Sequence, residues 1–192
     1  MRIVQRIITK LQRKKFKSLF KSMGEGSGFG SLGVGDNCII KGSEGIEIGC
    51  NSWFGDGSEI IVQHHKGAKL RIGDGVSSTC RCRITCGGEI VIEDNVLIAP
   101  DVFITDHNHG MDPSIPGGYQ NQPIVIKNVC INKGVWLGQR CCVLPGVTIG
   151  EHSIIGANSV VTKDIPPFTI AVGSPARVVK KWNSEDKEWL SV

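Results

Sequence analysis

A chain of 192 residues with 40% hydrophobic content can bury one sizeable core and is short for two large domains. The net charge of +4 hides an asymmetry, because eight of the 22 Lys and Arg lie in residues 1–23, which hold no acid, so 14 bases face 18 acids in the remainder. That slightly acidic body, with only 6% aromatic residues, argues against a nucleic-acid surface, which spreads bases over the folded face among stacking rings. Cys38, Cys50, Cys80, Cys82, Cys86, Cys130, Cys141 and Cys142 form no CxxC pair and read as small buried hydrophobes rather than a disulfide or zinc framework. With no apolar run of signal-peptide or membrane-spanning length, the expected compartment is the reducing cytoplasm.

Residues 1–23 are predicted to form a basic amphipathic helix, with Val4, Ile7, Ile8, Leu11, Phe16, Leu19 and Phe20 on its apolar side. Two roles are open to it: packing on the body or a neighbouring subunit, or peripheral contact with an anionic membrane. A Gly-rich lead follows at 24–33. Residues 34–165 then keep a six-residue clock. Val34 and Ile40 share one phase; Ile48, Phe54 and Ile60 the next; then Ile72, Ser78 and Ile84; then Ile92, Ile98 and Ile104. Val125, Ile131, Leu137, Val143, Ile149, Ile155 and Val161 extend it through the last block. Neither a helical period of 3.6 nor a strand period of two gives aliphatic residues every sixth position, often followed by Gly. A parallel β-helix does, with each aliphatic residue pointing into a shaft and three hexads making one coil. The blocks restart 24, 20 and 33 residues apart rather than 18, so loops must leave at corners, the largest at 106–122. Pro166-Pro167 ends the clock, and in the extension 166–192 Ser184 is placed as N-cap of a short helix through Trp189 and Leu190.

Ile149-Gly150, Ile155-Gly156 and Asn95-Val96-Leu97-Ile98-Ala99-Pro100 resemble the hexapeptide-repeat acyltransferases, above all the maltose and galactoside O-acetyltransferase group and its polysaccharide-acetylating relatives. The likeness covers roughly 34–180 and is strongest over 123–179. It implies left-handed coils, an all-β left-handed parallel β-helix, a homotrimer, and acetyl-CoA as co-substrate with no metal.

Chemistry is expected in the long loop, where Thr105-Asp106-His107-Asn108-His109-Gly110 holds two of the five histidines. A neutral imidazole can take the proton of a sugar hydroxyl as it attacks a thioester. The family spacing puts the catalytic histidine at His109, with His107 its rival; Asp106 either orients a ring or caps the loop. A zinc site of the γ-carbonic anhydrase type needs a third histidine, and His64, His65 and His152 offer no obvious one. By resemblance, Trp136 lies beside the pantetheine arm, Ala157 leaves room for that arm, and Gln139 stands where relatives often carry Ser. Thr162 and Lys163 close the coenzyme coil, and Lys163 and Arg177 face its phosphates. Asp106, Thr79 and Tyr119 are placed on the acceptor side. The resemblance implies acetyl transfer to a saccharide hydroxyl, on a lipid-linked or nucleotide-linked precursor of a surface polysaccharide. Serine, antibiotic or amine acetylation remains open, as does a non-catalytic scaffold.

Overall fold

The computed structural model describes residues 33–63 and 67–192; the basic segment 1–23, most of the Gly-rich lead, and His64 and His65 lie outside them. The described chain is a parallel β-solenoid with three sheets wound around one shaft. On the first face, strands Gly33–Val34, Trp53–Phe54, Ser77–Ser78, Leu97–Ile98, Trp136–Leu137 and Ile154–Ile155 stack in chain order. The second face stacks Ile39–Lys41, Glu59–Val62, Arg83–Cys86, Phe103–Thr105, Cys142–Val143 and Val160–Val161. The third stacks Ile46–Ile48, Lys69–Ile72, Glu89–Ile92, Val129–Ile131 and Thr148–Ile149.

The clock residues supply the core. Phe54, Ser78, Ile98, Leu137 and Ile155 stand in register on the first face, and Ile60, Ile84, Ile104, Val143 and Val161 on the second, all buried. Side chains of three faces meet in a shaft from which water is excluded, the chief source of stability in such a stack. Corners need a left-handed backbone, which Asn and Gly adopt at least cost; Asn95, Asn158 and Gly134 hold φ of 56°, 57° and 65°. At Gly138 a Cβ would lie 2.6 Å from the carbonyl oxygen of Ile155 on the next coil, so nothing larger than hydrogen fits without movement. The acids of the body staple successive coils: Asp94 accepts the Asp74 N–H at 2.7 Å, Asp56 that of Asp36 at 2.7 Å, and Asp164 that of Thr148 at 2.7 Å.

Two expectations change. The third-face register runs Ile48, Ile72, Ile92, Ile131, Ile149, so the last restart is 39 residues, from Ile92 to Ile131, and not 33. Val125 keeps the phase by coincidence: it lies on Ile124–Ile126, an antiparallel partner of His107–His109, and is 43% exposed. The C-terminal helix is not formed. Thr169–Gly173, Ala176–Asn183 and Glu188–Ser191 make an antiparallel meander that extends the first face beyond the last coil. Asn183, rather than Ser184, takes the free N–H groups, accepting from Glu185 at 2.9 Å through Oδ1 while its amide donates to Asp186 at 2.7 Å. Trp182 then faces Trp189 across the hairpin with ring centroids 5.3 Å apart, a pairing a helix from Ser184 would break.

Substitutions at two clock positions should separate shaft from phase. Ile131→Ala should cost about 2–5 kcal/mol by emptying a buried site, and Val125→Ala should stay within about 0.5 kcal/mol. Equal shifts in the denaturation midpoints of the two variants would contradict the register.

Candidate functional site

The 39-residue coil leaves the solenoid between the second and third faces as a hairpin of His107–His109 with Ile124–Ile126. Its root is Asp106, fully buried, whose carboxylate accepts the N–H of Gly87 at 2.7 Å and of Gly88 at 2.8 Å. The same carboxylate meets His107 Nδ1 at 2.7 Å and the Cys86 thiol at 3.5 Å. Asp106 is therefore a brace inside the wall, its carboxylate committed to these donors. His107 is mostly covered, its side chain 16% exposed. His109 is exposed and paired across the hairpin with Ile124.

Beyond His109 the loop is tied off at its neck. The Gly110 N–H donates to the Pro123 carbonyl at 2.9 Å, and the buried Gln122 amide both accepts from Asp112 N–H at 2.9 Å and donates to the Asp112 carbonyl at 2.7 Å. Tyr119 stands 56% exposed on the short turn Tyr119–Asn121. Gly87-Gly88 and Gln122 were missed in the sequence. The doublet's signal was the break in the clock after Cys86; a buried Gln in a loop gives none.

The other candidates fall on the first face and on two corners. Trp136, on the outer side of the first face, is 46% exposed between Leu97 and Ile154 in register. Gln139 and Ala157 lie one coil apart at the corner between the first and second faces, where Asn158 N–H donates to the Gln139 carbonyl at 2.8 Å. Arg177 pairs with Val172, whose side chain lies 2.6 Å from where a Gly156 Cβ would stand, so it borders that corner too. Thr79 is exposed on the same corner, on the coils before Trp136. Thr162 and Lys163 instead follow Val161 toward the third face, the corner of the histidine hairpin; the register Ile104, Val143, Val161 puts them two rungs, about 10 Å, from Thr105 and Asp106. Neither Lys163 nor Arg177 has a carboxylate partner among the described residues.

The third corner holds an open groove of about 660 Å³ lined by Glu93, Lys133, Glu151 and Asp164 among others. It contains none of the candidates, and its three carboxylates oppose an anionic nucleotide. Nucleophilic chemistry at Cys82, Cys86 and Cys141 is disfavoured by burial, which pushes these thiols up to about 12, the Asp106 charge adding to the effect at Cys86.

With this geometry in view, the chain can be placed. Residues 128–163 match the family described as bacterial transferase hexapeptide (six repeats). Over 160 residues the chain is 35% identical to WbbJ of Escherichia coli K12, named a lipopolysaccharide biosynthesis O-acetyl transferase, covering 79% of this chain and 80% of that protein. The galactoside O-acetyltransferase of the same bacterium is 37% identical over 144 residues, 74% of this chain and 66% of its own length, so the match spans just under two thirds of that enzyme. A solved galactoside acetyltransferase in complex with coenzyme A superposes with a TM-score of 0.56 at 30% identity, covering 82% of this chain and 68% of the other. The protein belongs to the hexapeptide-repeat acetyltransferases.

Because thiols held near 12 carry almost no thiolate at pH 8, Cys82, Cys86 and Cys141 should escape iodoacetamide in the folded protein and react after denaturation. Mass spectrometry showing rapid native alkylation at these three would place them outside the core.

Proposed function

We propose that the protein is an acetyl-CoA-dependent O-acetyltransferase that acts on a saccharide hydroxyl as a homotrimer of left-handed coils. The relatives named for galactoside and lipopolysaccharide O-acetyl transfer support this reading, as does the coenzyme A held by a solved relative. One observation in this chain carries it: the histidine hairpin and the Trp136, Gln139, Ala157 and Arg177 group stand on different corners of the same solenoid. A complete site then needs the hairpin of one protomer set against the Trp136 corner of the next. On the outer side of the first face Leu97 and Trp136 are neighbours in register and Trp53 stands beyond Ser77, each of the three more than 40% exposed, apolar surface of the kind that marks a partner or ligand site.

In this arrangement the pantetheine arm runs along Trp136 and past Ala157, with its thioester facing the neighbour's hairpin. Arg177, and Lys163 from its own corner, supply positive charge for the nucleotide phosphates. Acetyl transfer is direct. The acceptor oxygen attacks the thioester carbonyl, the imidazole of His109 takes the hydroxyl proton, and the C–S bond breaks as that proton passes to the departing coenzyme thiolate. A backbone N–H stabilises the oxyanion between these events. The exposed face of His109 suits a base that must reach a soluble or carrier-linked sugar, and the polysaccharide name of WbbJ favours a precursor of a surface glycan. The activity is taken to reside in the cytoplasm, where acetyl-CoA is made available; among the described residues no helix is long and apolar enough to cross a membrane.

Titration calorimetry with acetyl-CoA tests the cofactor, and His109→Ala tests the base. The native protein should bind acetyl-CoA, and the variant should bind it equally while losing about 10²–10⁴ in turnover. No binding at millimolar acetyl-CoA would end the enzyme reading, whereas binding with full activity in His109→Ala would end only the assignment of the base. Light scattering should give about three times the 20.7 kDa of one chain.

A further inference from the structure

We infer that His107 is a positioning residue whose Nδ1–H, held by the buried Asp106 carboxylate, locks the hairpin that carries His109. This rests on the reading of His109 as the base. The inference begins with donor accounting. The Asp106 carboxylate receives two backbone N–H groups, from Gly87 and Gly88, and a buried carboxylate persists only where donors surround it. The Cys86 thiol adds a weak donor at 3.5 Å, and His107 Nδ1, 2.7 Å away, stands as a fourth, the hydrogen on that nitrogen fixed by its carboxylate partner. The ring lies against the Gly87 backbone, where a Cβ would come within 3.1 Å of Nδ1, so the glycine corner is shaped to receive it.

Asp106 holds the other end of the hairpin as well. Its carbonyl accepts the N–H of Lys127 at 2.8 Å, directly after the returning strand Ile124–Ile126. Through side chain and backbone one residue thus joins the preceding coil, the outgoing strand and the returning strand. His107 and His109 are two apart on a single strand, so their side chains leave from the same face. The orientation that the carboxylate imposes on His107 is transmitted along that strand to His109. On this account the Nε2 atom of His107 has no chemical task.

Amide side chains discriminate the two roles. Asn at 107 presents its N–H near the place of Nδ1, and Gln presents it near Nε2. Full-length His107→Asn, His107→Gln and His107→Ala are compared by release of free thiol from acetyl-CoA, with the Michaelis constant for acetyl-CoA measured alongside turnover. Amide hydrogen exchange over residues 108–126 gives a readout independent of activity. His107→Asn should keep turnover within about threefold and native exchange protection. His107→Ala and His107→Gln should lose up to about 10²-fold in turnover, as a displaced base does, with the Michaelis constant little changed and exchange across the hairpin faster. If His107→Asn is as impaired as His107→Ala, the ring itself is required and the inference is overturned. Native behaviour in His107→Ala overturns it as well. The base assignment fails separately, through an active His109→Ala, and in a protein that does not act on acetyl-CoA the exchange pattern still decides whether His107 locks the hairpin.

Discussion

Each inward aliphatic side chain must rest on its equivalent one coil away. Ile92 on Ile131, Ile104 on Val143 and Leu137 on Ile155 hold the shaft dry only while the strands stay in register, and a slip of one residue would turn the whole row outward. The faces therefore tolerate no insertion. Any extra residue has to leave at a corner, and the chain uses that freedom where Asp106 takes a hairpin out of the wall before Val129 resumes the third face. Most of the candidate residues stand at corners for this reason: the inward sides of the faces are committed to stacking, and the corners are where side chains can vary.

The same constraint explains how much of the fold could be read from the sequence. A period of six sustained by shaft residues such as Ile98, Leu137 and Ile155 has no helical or simple strand alternative, so the solenoid was legible. The length of the hairpin was not, because its returning strand Ile124–Ile126 is aliphatic and Val125 happens to stand six residues before Ile131. Local pattern carries phase, but only register tells a shaft residue from an exposed one. At the C-terminus Ser184 offered a helix start, and the cross-strand contact of Trp182 with Trp189 outweighed it. Propensity over so few residues is weaker than one aromatic pair and a continued sheet.

The candidate residues stand out one by one in the sequence, but their arrangement does not. The loop with Asp106, His107 and His109 and the hexads with Trp136 and Ala157 could be picked out on residue type, spacing and resemblance. Which corner each occupies depends on the summed lengths of all preceding coils, so their separation emerged only in three dimensions. Burial likewise shows a part played by Asp106 that residue type alone does not. In the sequence it is one polar loop residue among several; in the fold it is a covered carboxylate ringed by Gly87, Gly88 and His107. A charge so placed organises its neighbours.

The central claim is that catalysis needs two chains, one giving the His109 hairpin and the other the Trp136 corner. Co-expression of two inactive variants tests it most directly: His109→Ala, which lacks the base, and Ala157→Trp, which fills the path of the pantetheine arm. Mixed trimers of distinguishably tagged chains contain interfaces where an intact hairpin from the Ala157→Trp chain meets an intact corner from the His109→Ala chain. The account predicts that purified mixed trimers regain a substantial part of native acetyl transfer while each parent alone stays inactive. Mixed trimers that form and remain as inactive as their parents would contradict it, because every residue needed for the reaction would then have to come from a single chain.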